Sequence, residues 1–452
     1  MENQVSTKAA SASARFAGSL SSLFAHLRVP LYTNAFYLWV SAAGTALAGF
    51  VFWTLVTRFY STDDVGLGSA ALSALTLLAM FSHLGLGLGL IRFLPNSGKE
   101  GPRLANAVFT SSGLVAVGLS TAFLVGLPLW APSLGFLREQ PLYAAAFMAF
   151  VVAATLSFVQ TYAFIAVLKA KYIAVQAAVV LLGRLVLLAL MDALFGAFGI
   201  VASGGLAVAL GAVIGFSLLA KGLLGYRPRV VFDRTSVIKL LPFSMANYVA
   251  DSLLVLPSLV LPLVVIGSRG SSDAAYFYMA WFLGHILISS STYLGLSLFA
   301  AGSNDPNELR LLSRNAVVVG LAVAAVGALC FLLLGDKLLL AFGSDYATEG
   351  ATLLRLVALA AVPAAVVNVY LGALRVTKRV SELVVIAGLV SVTTLALSSA
   401  LLPAMGLTGA GIGICLGQGL GLIVVLGRLL AAPEGTVPQR MRWLLGTLSG
   451  RS

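Results

Sequence analysis

GYRPRVVFDRTSVIK, residues Gly225–Lys239, is the most polar interior stretch of the chain, and its position decides how the rest is read. Four basic residues, an aspartate and a proline within fifteen positions have no place in hydrocarbon. The sequence on either side is its opposite. A bilayer core about 30 Å thick takes roughly 20 helical residues to cross. Before the polar stretch, runs of that kind occur at Ala35–Val56, Gly66–Ile91, Leu104–Trp130, Leu142–Leu168, Ile173–Phe198 and Ile200–Leu224. After it they occur at Leu240–Ile266, Ala274–Ala301, Ala316–Gly335, Ala351–Leu374, Leu383–Leu402 and Gly406–Ala431. The expected fold is an all-α integral membrane protein of about twelve transmembrane helices, in two six-helix lobes related by a pseudo-repeat. The expected organisation is a leader (1–34), an N-lobe (35–224), a cytoplasmic linker (225–239), a C-lobe (240–431) and a cytoplasmic tail (432–452).

Charge orients the spans. Taking alternate connections, one side holds Lys8, Arg15 and Arg28; Arg92, Lys99 and Arg103; Lys169 and Lys171; and Lys221, Arg227, Arg229, Arg234 and Lys239. It also holds Arg310 and Arg314; Arg375, Lys378 and Arg379; and Arg428, Arg440, Arg442 and Arg451, for 22 of the 28 basic residues. The other side has Arg58, Arg138, Arg269 and Lys337, and only Arg184 and Arg355 fall inside spans. Short cytoplasmic loops retain Lys and Arg, so both termini are expected in the cytoplasm and the protein in the inner (plasma) membrane.

The net charge of +12 follows from the same bias. It is scattered over many short loops and forms no patch, so nucleic acid is not an expected partner. The leader has no apolar run with a small-residue cleavage site. Its Phe16, Leu20, Leu23, Phe24 and Leu27 recur at helical spacing beside Arg15, His26 and Arg28, which suits either an interfacial helix or a disordered segment. Cys330 and Cys415 are isolated in apolar runs, so neither a disulfide nor a metal site is indicated. No cofactor is expected. The GLGLGL run from Gly85 lies inside an apolar span with no preceding strand, so it is not read as a phosphate loop.

The halves echo each other. STDDVGLGSAALSAL from Ser61 opens the second span and SSDAAYFYMAWFL from Ser271 opens the eighth, each a serine and acid cluster followed by small residues. Paired halves of this kind are typical of secondary transporters, with substrate held near the midplane between the repeats. Three further stretches carry a family resemblance: Leu55–Pro95, Leu338–Arg379 (with "FG-x-x-Y", "LLR" and "LR" before a basic loop) and Leu401–Gly421 ("P-x-x-G-x-x-G-A"). In their order and spacing they resemble the polysaccharide-transporter branch of the multidrug/oligosaccharidyl-lipid/polysaccharide flippase superfamily, from about Asn34 to Ala431. That resemblance implies translocation of a lipid-linked oligosaccharide. Where the family often has an acid before the glycine repeat of the second span, this chain has His83.

Several residues could carry such a function. Arg184 and Asp251, each about ten residues into a span from the cytoplasmic side, are expected roughly 15 Å deep. A charge there costs about 2.5–3.5 kcal/mol even on a lenient scale, so it should face a cavity or a partner. Either Arg184 attracts a lipid pyrophosphate with Asp251 as counter-ion or proton/cation site, or the two form a permanent ion pair tying the lobes together. Arg355 sits near the outer end of its span and could snorkel, as could Arg58 and Arg92 at span ends, or these could rim a cavity. Asp192 should be exposed. His83 and His285 are either hydrogen-bonded buried imidazoles or a proton relay. Gln160, Tyr162, Gln176, Asn247, Tyr248, Asn368, Tyr370 and Gln418 suit sugar hydroxyls, or serve as interhelix hydrogen bonds. Gly409, Gly413, Gly417 and Gly421 should let helices approach closely. Pro242, Pro257 and Pro262 interrupt the seventh span and suggest a bent gating helix.

The expected activity is non-enzymatic: a flippase carrying polyprenyl-pyrophosphate-linked oligosaccharide from the inner to the outer leaflet by alternating access, for surface polysaccharide such as O-antigen or exopolysaccharide. Its partners would be the lipid-linked oligosaccharide and membrane lipids, with a polysaccharide polymerase and chain-length proteins as candidates. The alternative is a cation-coupled exporter of small molecules from the same superfamily. A membrane polymerase would need a large outer loop or clustered acids, and a scaffold would need no cationic cavity.

Overall fold

A computed structural model describes residues 30–191, 195–304 and 309–431, and among them every regular element is helical. The N-terminal half comprises α1 (Pro30–Phe59), α2 (Thr62–Ser82), α3 (Leu86–Phe93), α4 (Gly101–Trp130), α5 (Pro141–Ala166), α6 (Ala170–Leu190) and α7 (Gly196–Gly222). The C-terminal half comprises α8 (Arg234–Arg269), α9 (Ser271–Asn304), α10 (Leu309–Leu339), α11 (Ser344–Val376) and α12 (Val380–Leu430). Ten helices are long and apolar enough to cross a membrane. One of these, α12, has 51 residues and leaves helical geometry at Gly406, so it makes two crossings. With α1 the total among the described residues is twelve. The leader helix expected within 16–28, Asp192 and the tail lie outside the described residues, as does the side chain of Asn247.

Local chemistry sets the ends of these helices. Ser61 caps α2 by accepting from the Asp64 N–H, and Asp233 caps α8 by accepting from the Ser236 N–H at 3.1 Å. The Thr235 hydroxyl and the Ser236 N–H hold the Asp233 carboxyl well below its usual value, at about 2, with Arg103 adding an ion pair at 3.1 Å. Between these caps the polar linker is strapped to α4. The Asn106 amide donates to the Arg227 carbonyl at 2.8 Å and accepts from the Arg229 N–H at 3.2 Å, and Thr110 accepts from the Val231 N–H at 3.0 Å. The linker therefore belongs mechanically to the N-lobe.

The second span is not one helix. It breaks between α2 and α3 at Leu84 and Gly85, with φ of 48° and 68°. At Gly85 the left-handed backbone also passes against the side chain of Tyr248, leaving no room for a Cβ. The three prolines of the seventh span have the reverse outcome, since α8 is continuous through Pro242, Pro257 and Pro262. The sequence reading put the interruption in the seventh span, and the structure has it in the second. Proline removes a donor yet permits a helix to continue, whereas two successive positive φ values end it. The glycines of the last span behave as read. Gly409, Gly413 and Gly417 press on Leu401, Ser398 and Thr394 of the preceding arm too closely for any side chain.

Burial shows how the lobes meet. On the face with few basic residues, a single core joins both: Phe52, Val56 and Val65 pack in one cluster with Val265, Phe277 and Met279. Towards the basic face that core divides. Leu86, Leu94, Phe109 and Phe164 form one cluster with Leu240, and Leu298, Val366, Tyr370, Leu383 and Val425 form another with Ala250. Among the described residues only α8 contributes to both. The lobes are thus joined at one face and separately cored at the other.

Candidate functional site

At the joined face the two serine and acid clusters recognised as a repeat touch one another. Asp63 accepts hydrogen bonds from the hydroxyls of Ser271 and Ser272 at 2.6 and 2.7 Å. A Cβ on Gly66 would overlap the Ser271 carbonyl, so glycine is what permits α2 and α9 to cross there. Arg58 reaches the Ala341 carbonyl at 3.4 Å, and Ser133 donates to the Ile266 carbonyl at the same distance. Arg58 is therefore a cross-lobe clasp. The sequence showed the clusters as equivalent; that equivalent segments near a pseudo-two-fold axis contact each other was the signal left unused.

Behind this closure stands Arg184. Its guanidinium carbon lies 4.9 Å from the centre of the Phe52 ring. Tyr278, from α9 of the other lobe, is near enough to act on it electrostatically and packs on Trp53 with ring centres 4.7 Å apart. Counting at 1.5 Å per residue, Arg184, Phe52 and Tyr278 each lie about 9–11 Å inside the helix ends of the joined face. No carboxylate among the described residues pairs with Arg184, and its buried Nε has no hydrogen-bond partner. A desolvated cation–π contact contributes about 2 kcal/mol. That offsets most of the roughly 2.5–3.5 kcal/mol cost of placing the charge there, yet leaves a donor unused.

Asp251 is elsewhere. Its partner is Arg375, in the last turn of α11, and the ion pair lies within the C-lobe towards the basic face. The expected Arg184–Asp251 pair does not form, for a reason of length. At 36 residues α8 is about 54 Å long, far more than a bilayer core, and Asp251 lies only three residues inside its apolar window, Tyr248–Arg269. Entry at Leu240 had placed it too deep. The Asp251 side chain is 43% exposed and that of Arg375 17%, so the acid remains accessible to a ligand. Arg375 was counted with the orienting loop charges, and its place in the "LR" ending the tenth span was the only hint of more.

One turn before Asp251 on α8, at Tyr248, three of the predicted residues come together. His83, Tyr162 and Tyr248 form an aromatic group with Phe158, with rings 5.2–6.0 Å from the imidazole. Asp251 acts electrostatically on Tyr162. The His83 Nδ1 accepts from the Gly85 N–H at 3.1 Å, which closes the break between α2 and α3. Tyr248 donates to the Met80 carbonyl at 2.9 Å, joining α8 to the N-lobe.

The remaining predicted residues are dispersed. Gln160 is fully buried, donates to the Ala212 carbonyl at 2.8 Å and accepts from Gln176 at 2.6 Å, so it clamps α5, α6 and α7 and faces no substrate path. Tyr370 is also fully buried and donates to Glu382 at 2.9 Å. Asn368 donates to Ser291 at 2.8 Å. Arg355 pairs loosely with Asp336 at 3.9 Å. Arg92 is exposed on the basic face beside Phe93. His285 lies against Trp281, 5.3 Å between ring centres, and is far in sequence and contact from His83. Interhelix hydrogen bonding is what Gln160, Asn368 and Tyr370 make in this structure. Composition cannot separate it from sugar binding, because both use the same groups.

The architecture is that of a multi-pass membrane protein of the multidrug/oligosaccharidyl-lipid/polysaccharide flippase superfamily. It resembles a multidrug resistance MATE family transporter in an inward-facing conformation, with TM-score 0.66 and 15% identity over 85% of this chain and 94% of that one. It also resembles the lipid II flippase MurJ in an inward closed conformation, with TM-score 0.70 and 12% identity over 91% of each chain. A third likeness is to a superfamily transporter from Pyrococcus furiosus whose binding pocket is described as reversed in polarity, with TM-score 0.54 and 12% identity over 91% and 93%. Such identities establish a shared fold. No curated protein matches the sequence. Residues 31–299 match the family of polysaccharide biosynthesis proteins and residues 270–401 match MatE; the first spans more than half the sequence, and the chain belongs to the polysaccharide biosynthesis protein family.

Proposed function

We propose that this protein is a flippase moving polyprenyl-pyrophosphate-linked oligosaccharide from the inner to the outer leaflet for surface polysaccharide assembly. The observation that carries the reading is Arg184: a guanidinium with no carboxylate partner and an unused donor among the described residues, held behind the closed face against Phe52 of one lobe and within electrostatic reach of Tyr278 of the other. A pyrophosphate supplies the missing negative charge and acceptors. The basic face is the cytoplasmic one in this reading, with the leader, linker and tail on that side and lobes 35–224 and 240–431 moving against each other. Asp251, Tyr162 and Tyr248 meet the sugar head first, and the Asp63–serine contacts release as the lobes rock. The lipid tail stays in the bilayer, since it cannot pass a sealed interior. Membrane potential adds about 2.3 kcal/mol per charge per 100 mV, which favours outward movement of an anion.

The MatE match and the accessible carboxylate of Asp251 favour one alternative, export of small organic cations. Its weakness is that Arg375 already neutralises that acid. Deletion of the gene separates the two. The flippase reading predicts lipid-linked repeat units accumulating on the inner leaflet, shielded from glycosidase added to intact spheroplasts. Unchanged pools with new sensitivity to cationic dyes would establish export instead. Arg184→Ala is expected to abolish surface polysaccharide at near-normal protein abundance, and a variant with normal polysaccharide would remove Arg184 from the mechanism.

A further inference from the structure

A crevice of about 280 Å³ lies between α4, α5, α7 and the strapped linker, with Phe109, Leu156 and Phe216 as its walls and Asn106, Tyr226 and Arg229 beside them. Water takes about 30 Å³ per molecule in the liquid, so the space holds part of a small molecule and could not enclose a whole lipid. The walls are apolar, but one polar group among them is unsatisfied. Tyr226 is 97% buried and its hydroxyl has no hydrogen-bond partner among the described residues. Burial raises its pKa above the usual phenol value, so the group persists as a donor. A buried hydroxyl without an acceptor is unfavourable and calls for one.

The surroundings indicate the source of that acceptor. Leu224, Val230 and Phe232 are 97%, 75% and 75% exposed on the linker, interleaved with the exposed cations Lys221, Arg227 and Arg229. Apolar side chains alternating with Lys and Arg suit the boundary between acyl chains and anionic headgroups. Leu114, Val117 and Val213 nearby on α4 and α7 are exposed apolar residues, as expected of a lipid-facing flank. We propose that this crevice binds an anionic glycerophospholipid of the surrounding bilayer, with an acyl segment against Phe109 and Phe216, an ester or phosphate oxygen accepting from Tyr226, and the headgroup charge on Arg227 and Arg229. Because Asn106 and Thr110 fix the linker to α4, such a lipid would hold the linker and the N-lobe together at the membrane surface. The site is on the outer flank of the N-lobe, so it stands or falls independently of the transported substrate.

The test uses the purified full-length protein in detergent, titrated with phosphatidylglycerol or phosphatidylcholine and read by native mass spectrometry and thermal unfolding. The wild type should retain phosphatidylglycerol at least five-fold better than phosphatidylcholine. Arg227→Gln with Arg229→Gln should erase that preference, and Tyr226→Phe, which keeps the aromatic wall, should weaken retention of both lipids several-fold. Both variants should unfold within a few degrees of the wild type in lipid-free detergent, because the arginines are exposed and the tyrosine change is nearly isosteric. Equal retention of the two lipids by the wild type would overturn the proposal. Unaltered phosphatidylglycerol retention in both variants would overturn it equally.

Discussion

Arg184 and Asp251 show how differently two charges on apolar helices can be accommodated. Arg184 rests on the Phe52 ring near Tyr278 with no acid paired to it among the described residues, whereas Asp251 is matched by Arg375 and stays partly exposed. A half-exposed ion pair contributes about 1 kcal/mol or less, so Asp251–Arg375 is a weak element of stability. A double-mutant cycle of Asp251→Ala and Arg375→Ala should therefore give a coupling of about 0.5–1 kcal/mol in detergent unfolding. A coupling above about 3 kcal/mol would mean that the pair is buried and structural. Both residues are visible in the sequence as ionisable groups in or beside apolar runs. Their pairing is not, since it depends on where along a 36-residue helix the membrane begins.

Among the elements, the contact between α2 and α9 is the one most sensitive to a single atom. Gly66→Val places a side chain where the Ser271 carbonyl now lies, and overpacking of this kind costs about 1–3 kcal/mol. The variant should melt earlier and should separate the lobes at that face, lengthening the distance between spin labels at Phe59 and Leu340. An unchanged distance with an unchanged melting point would show that the crossing is looser than described. Most of the helices were legible beforehand, because an apolar run of about 20 residues between charged turns has few other readings. The break at Leu84–Gly85 was not. Glycines are common in membrane helices, and only the approach of Tyr248 and the His83 hydrogen bond reveal which of the GLGLGL glycines ends one.

For the whole molecule, the asymmetry of its core has a mechanical consequence. One apolar cluster unites the lobes at the face poor in basic residues, while two separate clusters support them at the other, and α8 runs through both regions. Opening the joined face would require exposing the shared apolar cluster, whereas the other face has no such cluster to break among the described residues. Orientation fixes what this means for transport. Reporter fusions at Asp64, Arg138, Arg269 and Asp345 should lie outside, and fusions at Lys99, Lys171, Arg229, Asp305 and Lys378 inside. A reversal at any of these would break the twelve-span topology at an identifiable pair of helices. The six-and-six division and the repeat at Ser61 and Ser271 could be read from the sequence alone. Which face is closed could not, because closure is a relation between lobes that no local pattern encodes.

The most direct measurement is of lipid-linked oligosaccharide crossing a bilayer that contains this protein and nothing else. In proteoliposomes loaded with polyprenyl-pyrophosphate-linked oligosaccharide on both leaflets, a lectin added outside initially reaches only the outer pool. The wild-type protein should progressively expose the inner pool, and Arg184→Ala should leave it shielded despite equal incorporation. Exposure no faster than in protein-free vesicles would contradict the account.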